Sequence, residues 1–242
     1  MVRRVALITG GARRVGAALS RSFARRGYDI VLHHGNSAAT AVALAAALAA
    51  EFGVHVEIVQ EDLVDSSAPA RVVQAALNRF DRLDVVVSSA SVMETRDFAA
   101  VTPDDWARAE AINLRAPFFL MQAAAQAMKP GGAIVQIADH LACETGFPRL
   151  IPHQVTKAAL HQLVRAVAEH LAPHIRVNAV APGLVLAPDD MSAAATARFL
   201  HDVPLARSGT PDDVVLAVHY LVDALYVTGT VLQVDGGRHL RR

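Results

Sequence analysis

The stretch IPHQVTKAAL sets His153 and Lys157 four residues apart, so on a helix an imidazole and an ammonium share one face, one turn from each other. Such a pair can handle protons, because imidazole titrates near neutral pH. The lysine charge, however, disfavours imidazolium and leaves neutral imidazole, a very poor acid. A nearby carboxylate would restore the acid form, and Glu144 is available in the preceding loop. Plainer uses exist: His153 as a helix cap or space filler, and Lys157 as an exposed helix lysine.

A second group of residues suits a dinucleotide. VALITGGARRVGAALSRSF predicts a strand, a glycine turn and a helix in succession, with Val15, Leu19 and Phe23 recurring on one helical face. Thr9 ends the strand. Gly10 and Gly16 allow close backbone approach, and the helix N-terminus offers unpaired N–H groups to a pyrophosphate. The spacing is TGxxxRxG, so Arg14, with Arg13 beside it, puts fixed charge where an adenosine ribose would carry a 2′-phosphate. The second strand, IVLHHGNS, lacks the acid that an NAD site offers to the ribose 2′-hydroxyl. His33, His34, Asn36 and Ser37 can hydrogen-bond a phosphate there instead, and NADPH is therefore expected over NADH. Both histidines serve equally well as solvent-facing filler. After the third strand, Asp62 and Leu63 offer a carboxylate to an adenine amino group, or Asp62 caps the following helix.

Positioning these residues requires alternating elements. Apolar runs RRVALIT, YDIVLHH, VHVEIVQ, RLDVVVSS, GGAIVQIA, HIRVNAVAP and TVLQVDGG predict about seven strands. Between them fall helical patterns from about Arg14, from about Ser37, from about Thr102 to Met128, and from about His153 to Leu171. Most strands are apolar throughout, so both sheet faces should be covered by helices. The expected fold is α/β, a doubly wound, Rossmann-like parallel sheet formed by residues 1–242 as one domain. The segment 184–208 is irregular, with Pro188 and the pair Asp189–Asp190 available to cap a short helix; a substrate loop or lid is expected there.

Lys plus Arg and Asp plus Glu number 23 each. That balance gives no ground for a nucleic-acid or anionic-membrane partner and points to a small molecule. VALIT is too short for a signal-peptide core and AVALAAALAAE too short to span a bilayer. Cys143, the one cysteine, cannot form an intramolecular disulfide; it reads as a small apolar residue and fits a cytoplasmic location. No metal-ligand set is assigned.

TGGARRVG, Asp62–Leu63, Asn113 in AINLRAPFF, Lys157 followed by small residues, VNAVAPG and VTGTVLQVDGG occur in order along the chain. Together they resemble the short-chain dehydrogenase/reductase family over essentially the whole length. The arginine of TGxxxRxG and the terminal DGGRHL are similar to the pteridine reductase and dihydromonapterin reductase branch. The resemblance implies an NADPH-dependent carbonyl or imine reductase, pterin-like in substrate, assembling as a homo-oligomer, tetramer or dimer. It places Ser89, Ala90, Pro182 and Gly183 at the cofactor, where the family's NNAG has become SSAS at Ser88 to Ser91. It also implies an Asn, Ser, Tyr and Lys site, matched by Asn113 and Lys157. His153 stands at the tyrosine position. The serine position, aspartate in the pteridine reductase branch, falls on His140 by direct count and on Asp139 if the loop carries one extra residue; Asp139 is favoured. A nucleotide-binding protein without efficient hydride transfer, and non-redox acid–base chemistry with His153 as base, remain alternatives.

Overall fold

The computed structural model describes residues 3–144, 146–187 and 192–240. Strands β1 (Val5–Thr9), β2 (Asp29–His34), β3 (Val56–Gln60), β4 (Val85–Ser88), β5 (Gly132–Ile137), β6 (Ile175–Pro182) and β7 (Val231–Val234) form one sheet in the order β3-β2-β1-β4-β5-β6-β7. Every strand pair is parallel. Along β1, Ala6 and Ile8 enter one hydrophobic cluster and Val5 and Leu7 the other. Burial on both faces is the physical reason that the run is uniformly apolar.

Helices α1 (Arg14–Arg25), α2 (Ala38–Phe52), α3 (Ala68–Phe80), α5 (Ala116–Ala127), α6 (Ile151–Leu171) and α8 (Pro211–Asp223) cover the sheet, while α4 (Pro103–Glu110) and α7 (Ala193–His201) lie towards the cleft. The helix expected from Thr102 to Met128 is not uniform. A capping box between Thr102 and Asp105 starts α4, and a π turn, Ala111–Arg115, then separates it from α5. Asn113 sits in that turn.

The irregular segment also holds more order than its sequence suggests, because Ser192 caps α7 with a bond from the Ala195 N–H. Pro188 and Asp189–Asp190, expected to cap a helix there, lie outside the described residues. Strand order reverses between β1 and β4, so their C-terminal ends diverge and leave a crevice. Among the described residues, no helix is long and apolar enough to cross a membrane, and no three His, Cys, Asp or Glu side chains converge as a metal site.

Candidate active site

The crevice opens into a cleft of about 770 Å³ running from Arg13, Asn36 and Asp62 at one end to Asp139, His153 and Lys157 at the other. Backbone packing shapes its floor. A Cβ on Gly16 would lie 2.1 Å from the Gly10 carbonyl oxygen, so glycine alone lets α1 approach the turn. No side chain caps the first turn of α1 and no acid occupies it, leaving N–H groups for an anion. His34 lines the cleft with a buried, unpartnered Nδ1. The open helix end, the glycine cradle and this orphaned donor or acceptor fit a dinucleotide phosphate.

Several expected contacts take other forms. His33 and His34 are buried, not solvent-facing. His33 Nδ1 accepts from the Gly10 N–H at 3.2 Å, and its Nε2 therefore donates to Glu61 O at 3.0 Å; the ring pins the glycine turn. Thr9 is buried as well, its hydroxyl accepting from the Ser89 and Ala90 N–H groups at 3.0 and 3.2 Å. It ties β1 to β4 where the SSAS sequence has lost an asparagine. Asp62 does not cap α3, which starts at Ala68; it accepts from the Val64 N–H at 3.0 Å. Arg14 has φ +52°, a left-handed backbone, and its guanidinium donates to Leu186 O at 2.7 Å, in the segment that follows β6. Arg13, Val15, Gly16, Asn36, Ser37, Leu63, Ser89, Ala90, Pro182 and Gly183 all face the cleft.

At the other end, α6 begins at Ile151, so His153 lies inside its first turn and is no cap. Its Nδ1 donates to Val92 O at 2.9 Å, and its Nε2 lies 3.0 Å from Asp139 Oδ2. Asp139 Oδ1 accepts from the Leu141 N–H at 2.9 Å. The structure thus brings Asp139, not His140, onto His153. A 3₁₀ turn, His140–Cys143, follows Asp139 and directs His140 Nδ1 to Pro182 O at 2.9 Å. Asn113 is fully buried behind the histidine. Its Oδ1 accepts from the Val92 N–H at 2.9 Å and the Ser91 hydroxyl at 3.0 Å, while Nδ2 donates to Val92 O at 2.9 Å. Lys157 Nζ donates to Ile137 O at 2.8 Å.

A family model described as enoyl-(acyl carrier protein) reductase matches residues 10–239. The chain belongs to the short-chain dehydrogenase/reductase family. It is 32% identical to the short-chain dehydrogenase/reductase FrzI of Cladobotryum sp, covering 98% of this chain and 96% of that protein. It is 30% identical to the 3-oxoacyl-(acyl-carrier-protein) reductase of Aquifex aeolicus, covering 97% and 96%. Among solved structures, a short-chain dehydrogenase from Burkholderia cenocepacia in complex with NADP superposes with a TM-score of 0.92 at 31% identity, over 98% of each chain. A blue fluorescent protein from a metagenomic library, in complex with NADPH, does so with a TM-score of 0.92 at 32% identity, over 97% of each.

Within this short-chain dehydrogenase/reductase, charge at the reactive end is set by burial against pairing. Burial opposes the Asp139 charge, but the contacts from His140 and His153 outweigh it and hold the carboxyl well below the usual carboxylate range. Burial pushes the Lys157 ammonium down to about 8, with Asp139 opposing the shift. With Asp139 ionised, both ring nitrogens of His153 face oxygen acceptors. Sequence reasoning missed two participants. The Val92 carbonyl has no side-chain signal. Arg238, visible only within DGGRHL, sits with Nε 3.2 Å from both oxygens of Glu144 and its guanidinium 4.2 Å from the Phe199 ring centroid.

Proposed function

We propose that this protein is an NADPH-dependent reductase of a carbonyl or imine in which the Asp139–His153 pair does the work of the family's tyrosine. The observation that carries this reading is the 3.0 Å contact between His153 Nε2 and Asp139 Oδ2, with Nδ1 held on Val92 O. The chemistry that bound NADPH supplies is hydride for the substrate carbon. Because Val92 O fixes the Nδ1 proton, only Nε2 exchanges its proton. That proton passes through Asp139, which takes it from His153 Nε2 and hands it to the substrate oxygen or nitrogen, so that His153 ends neutral and Asp139 ionised as before. Asp139 is the more open partner, its side chain 20% exposed against 4% for His153, and it faces the substrate end of the cleft.

Lys157, with one proton on Ile137 O, has others with which to hold a ribose hydroxyl. Arg13, Arg14, Asn36 and Ser37 would hold the 2′-phosphate and select NADPH over NADH, since no acid ends β2. Asp62 and Leu63 would border the adenine. Val92, Leu141, Phe147 and Phe199 give the substrate end apolar walls suited to a flat ring. A pterin-like ring is the class that the resemblance of Arg14 and DGGRHL favours. Leu184, Val185 and Leu186 with α7 form the lid. Exposed Phe118 and Val155 on α5 and α6 support a homo-oligomer.

The test is NADPH oxidation with pterins, quinones and ketones from pH 5 to 8. Turnover rising towards acid and lost in His153→Ala supports the reading. Tight NADPH binding without turnover on any of them overturns it in favour of a nucleotide-binding protein, a reading favoured by the engagement of both His153 nitrogens within the protein.

A further inference from the structure

Asp139 is contacted from two sides. Opposite His153, the His140 ring lies with Nδ1 3.0 Å from Asp139 Oδ1 and 2.9 Å from Pro182 O, and with Nε2 3.5 Å from Glu144 Oε1. The His140 side chain is 6% exposed. Its Nε2 is buried without a hydrogen-bond partner and faces the Glu144 carboxylate. Both ring nitrogens therefore look at oxygen acceptors, a setting that suits imidazolium. Glu144 is itself held by Arg238, which caps the Phe199 ring of α7, donates to Phe199 O at 3.1 Å and approaches Asp202 at 3.5 Å. His140 stands edge-on to the same Phe199 ring.

We infer that His140 is a positioning residue of the site: as an imidazolium it fixes the charge and orientation of Asp139 from the side away from His153, and the Glu144–Arg238 pair sets how firmly it keeps its proton. The inference rests on the Asp139–His153 reading for its catalytic meaning but not for its structural content. The charged groups around His140 are Asp139 and Glu144 on its own turn, Arg238 with Asp202 beyond it, and His153 and Lys157 of α6 across Asp139. Burial disfavours the His140 charge, yet Asp139, Glu144 and the Pro182 carbonyl together raise its pKa. Loss of that proton as pH rises removes one of the two cations that balance Asp139. The first position to loosen is then the Asp139–His153 contact.

The sign of two substitutions separates this arrangement from simple packing. Glu144→Gln removes the anion beside Nε2 and leaves Arg238 unneutralised, so the His140 titration moves to lower pH, by about 1 unit. Arg238→Gln leaves Glu144 unneutralised and moves the titration to higher pH by a similar amount. Arg238→Lys, which keeps the charge, stays near the original value. The readout is NMR titration of the imidazole carbons in the free, full-length protein, with the His140 signal assigned by its loss in His140→Asn. Asparagine can still donate to Pro182 O but does not titrate. NMR also avoids confusion with Lys157, whose ammonium is pushed down to about 8 by burial.

Opposite shifts in the two charge variants support the inference, and His140→Asn should then retain only the alkaline fall in kcat/KM that comes from His153, while binding NADPH as before. A His140 signal that is neutral across pH 5 to 8, or that shifts in the same direction in Glu144→Gln and Arg238→Gln, overturns it. Absence of turnover with every substrate counts against the reductase reading alone, because the NMR titration is made without substrate or cofactor.

Discussion

Asn113 and His153 donate to one oxygen, the Val92 carbonyl, each at 2.9 Å. The two donors come from different elements, a π turn and the first turn of α6, and their convergence fixes which ring nitrogen of His153 keeps its proton. Asn113→Leu preserves volume but leaves the Val92 N–H and the Ser91 hydroxyl without their acceptor. It should cost about 2–3 kcal/mol in urea unfolding. Freed to rotate, His153 should lose turnover by roughly 100-fold at unchanged NADPH affinity. A variant with normal kcat would show that the shared acceptor does not matter.

Lys157 gives a stability signature with a definite sign. Burial pushes its pKa down to about 8 from the ordinary lysine value of 10.5, so the fold disfavours the charged form. The penalty is complete below about pH 8 and is relieved as pH rises towards the unfolded value, where the unfolded chain still binds the proton. Compared with Lys157→Met, the native sequence should therefore gain stability between pH 8 and 10.5, by up to about 3 kcal/mol. Paired denaturant unfolding curves at pH 7.5 and 10 measure it. A stability difference independent of pH would mean that the ammonium is not desolvated.

Asp139 works in the opposite direction. Its folded pKa is depressed by His140 and His153 against the burial that would raise it. Its stabilising contribution is present above the unfolded carboxylate pKa and is lost as pH falls through the folded value. Asp139→Asn should consequently be most destabilised, relative to the native sequence, near neutral pH and should approach it in strong acid. Thermal melts at pH 7 and pH 3 compare the two; a constant gap would contradict the pairing.

Two glycine substitutions distinguish the cradle from ordinary chain flexibility. Gly16→Ala places Cβ against the backbone of Gly10, which has nowhere to move, and should abolish measurable NADPH binding. Gly27→Ala, at φ +80° with open space around it, should cost only about 1 kcal/mol of stability and leave binding intact. Fluorescence titration with NADPH reads both.

Arg14 carries two effects of opposite sign. Its left-handed backbone makes glycine the easier residue, so Arg14→Gly should gain up to about 1 kcal/mol of stability. The same change removes the guanidinium, and the ratio of NADPH to NADH affinity should fall about tenfold. An unchanged ratio would remove Arg14 from cofactor selection.

The seven strands are legible because a parallel sheet buried on both faces leaves unbroken apolar runs such as VALIT and VVVS. α8 is harder to see, following the irregular segment 184–208, although the Thr210 to Asp213 capping box is a readable start signal. The π turn leaves no mark in AINLR, whose residues continue a helical pattern without a break. The choice between Asp139 and His140 is beyond counting because it depends on how the 3₁₀ turn winds. Side-chain spacing also says nothing of Val92, whose contribution is a main-chain oxygen.

The π turn makes the phase of a helix a site determinant. Relative to a regular helix, Ala111–Arg115 holds one surplus residue. Deleting one residue of it other than Asn113 would let α4 and α5 run on as a regular helix with their buried faces unchanged. Asn113 would be swept aside by up to about 100° of rotation. The protein could then keep its core and lose the order of its acid, so that a frame-preserving deletion three bases long would act as a catalytic mutation whose folding cost is confined to the orphaned Val92 N–H and Ser91 hydroxyl.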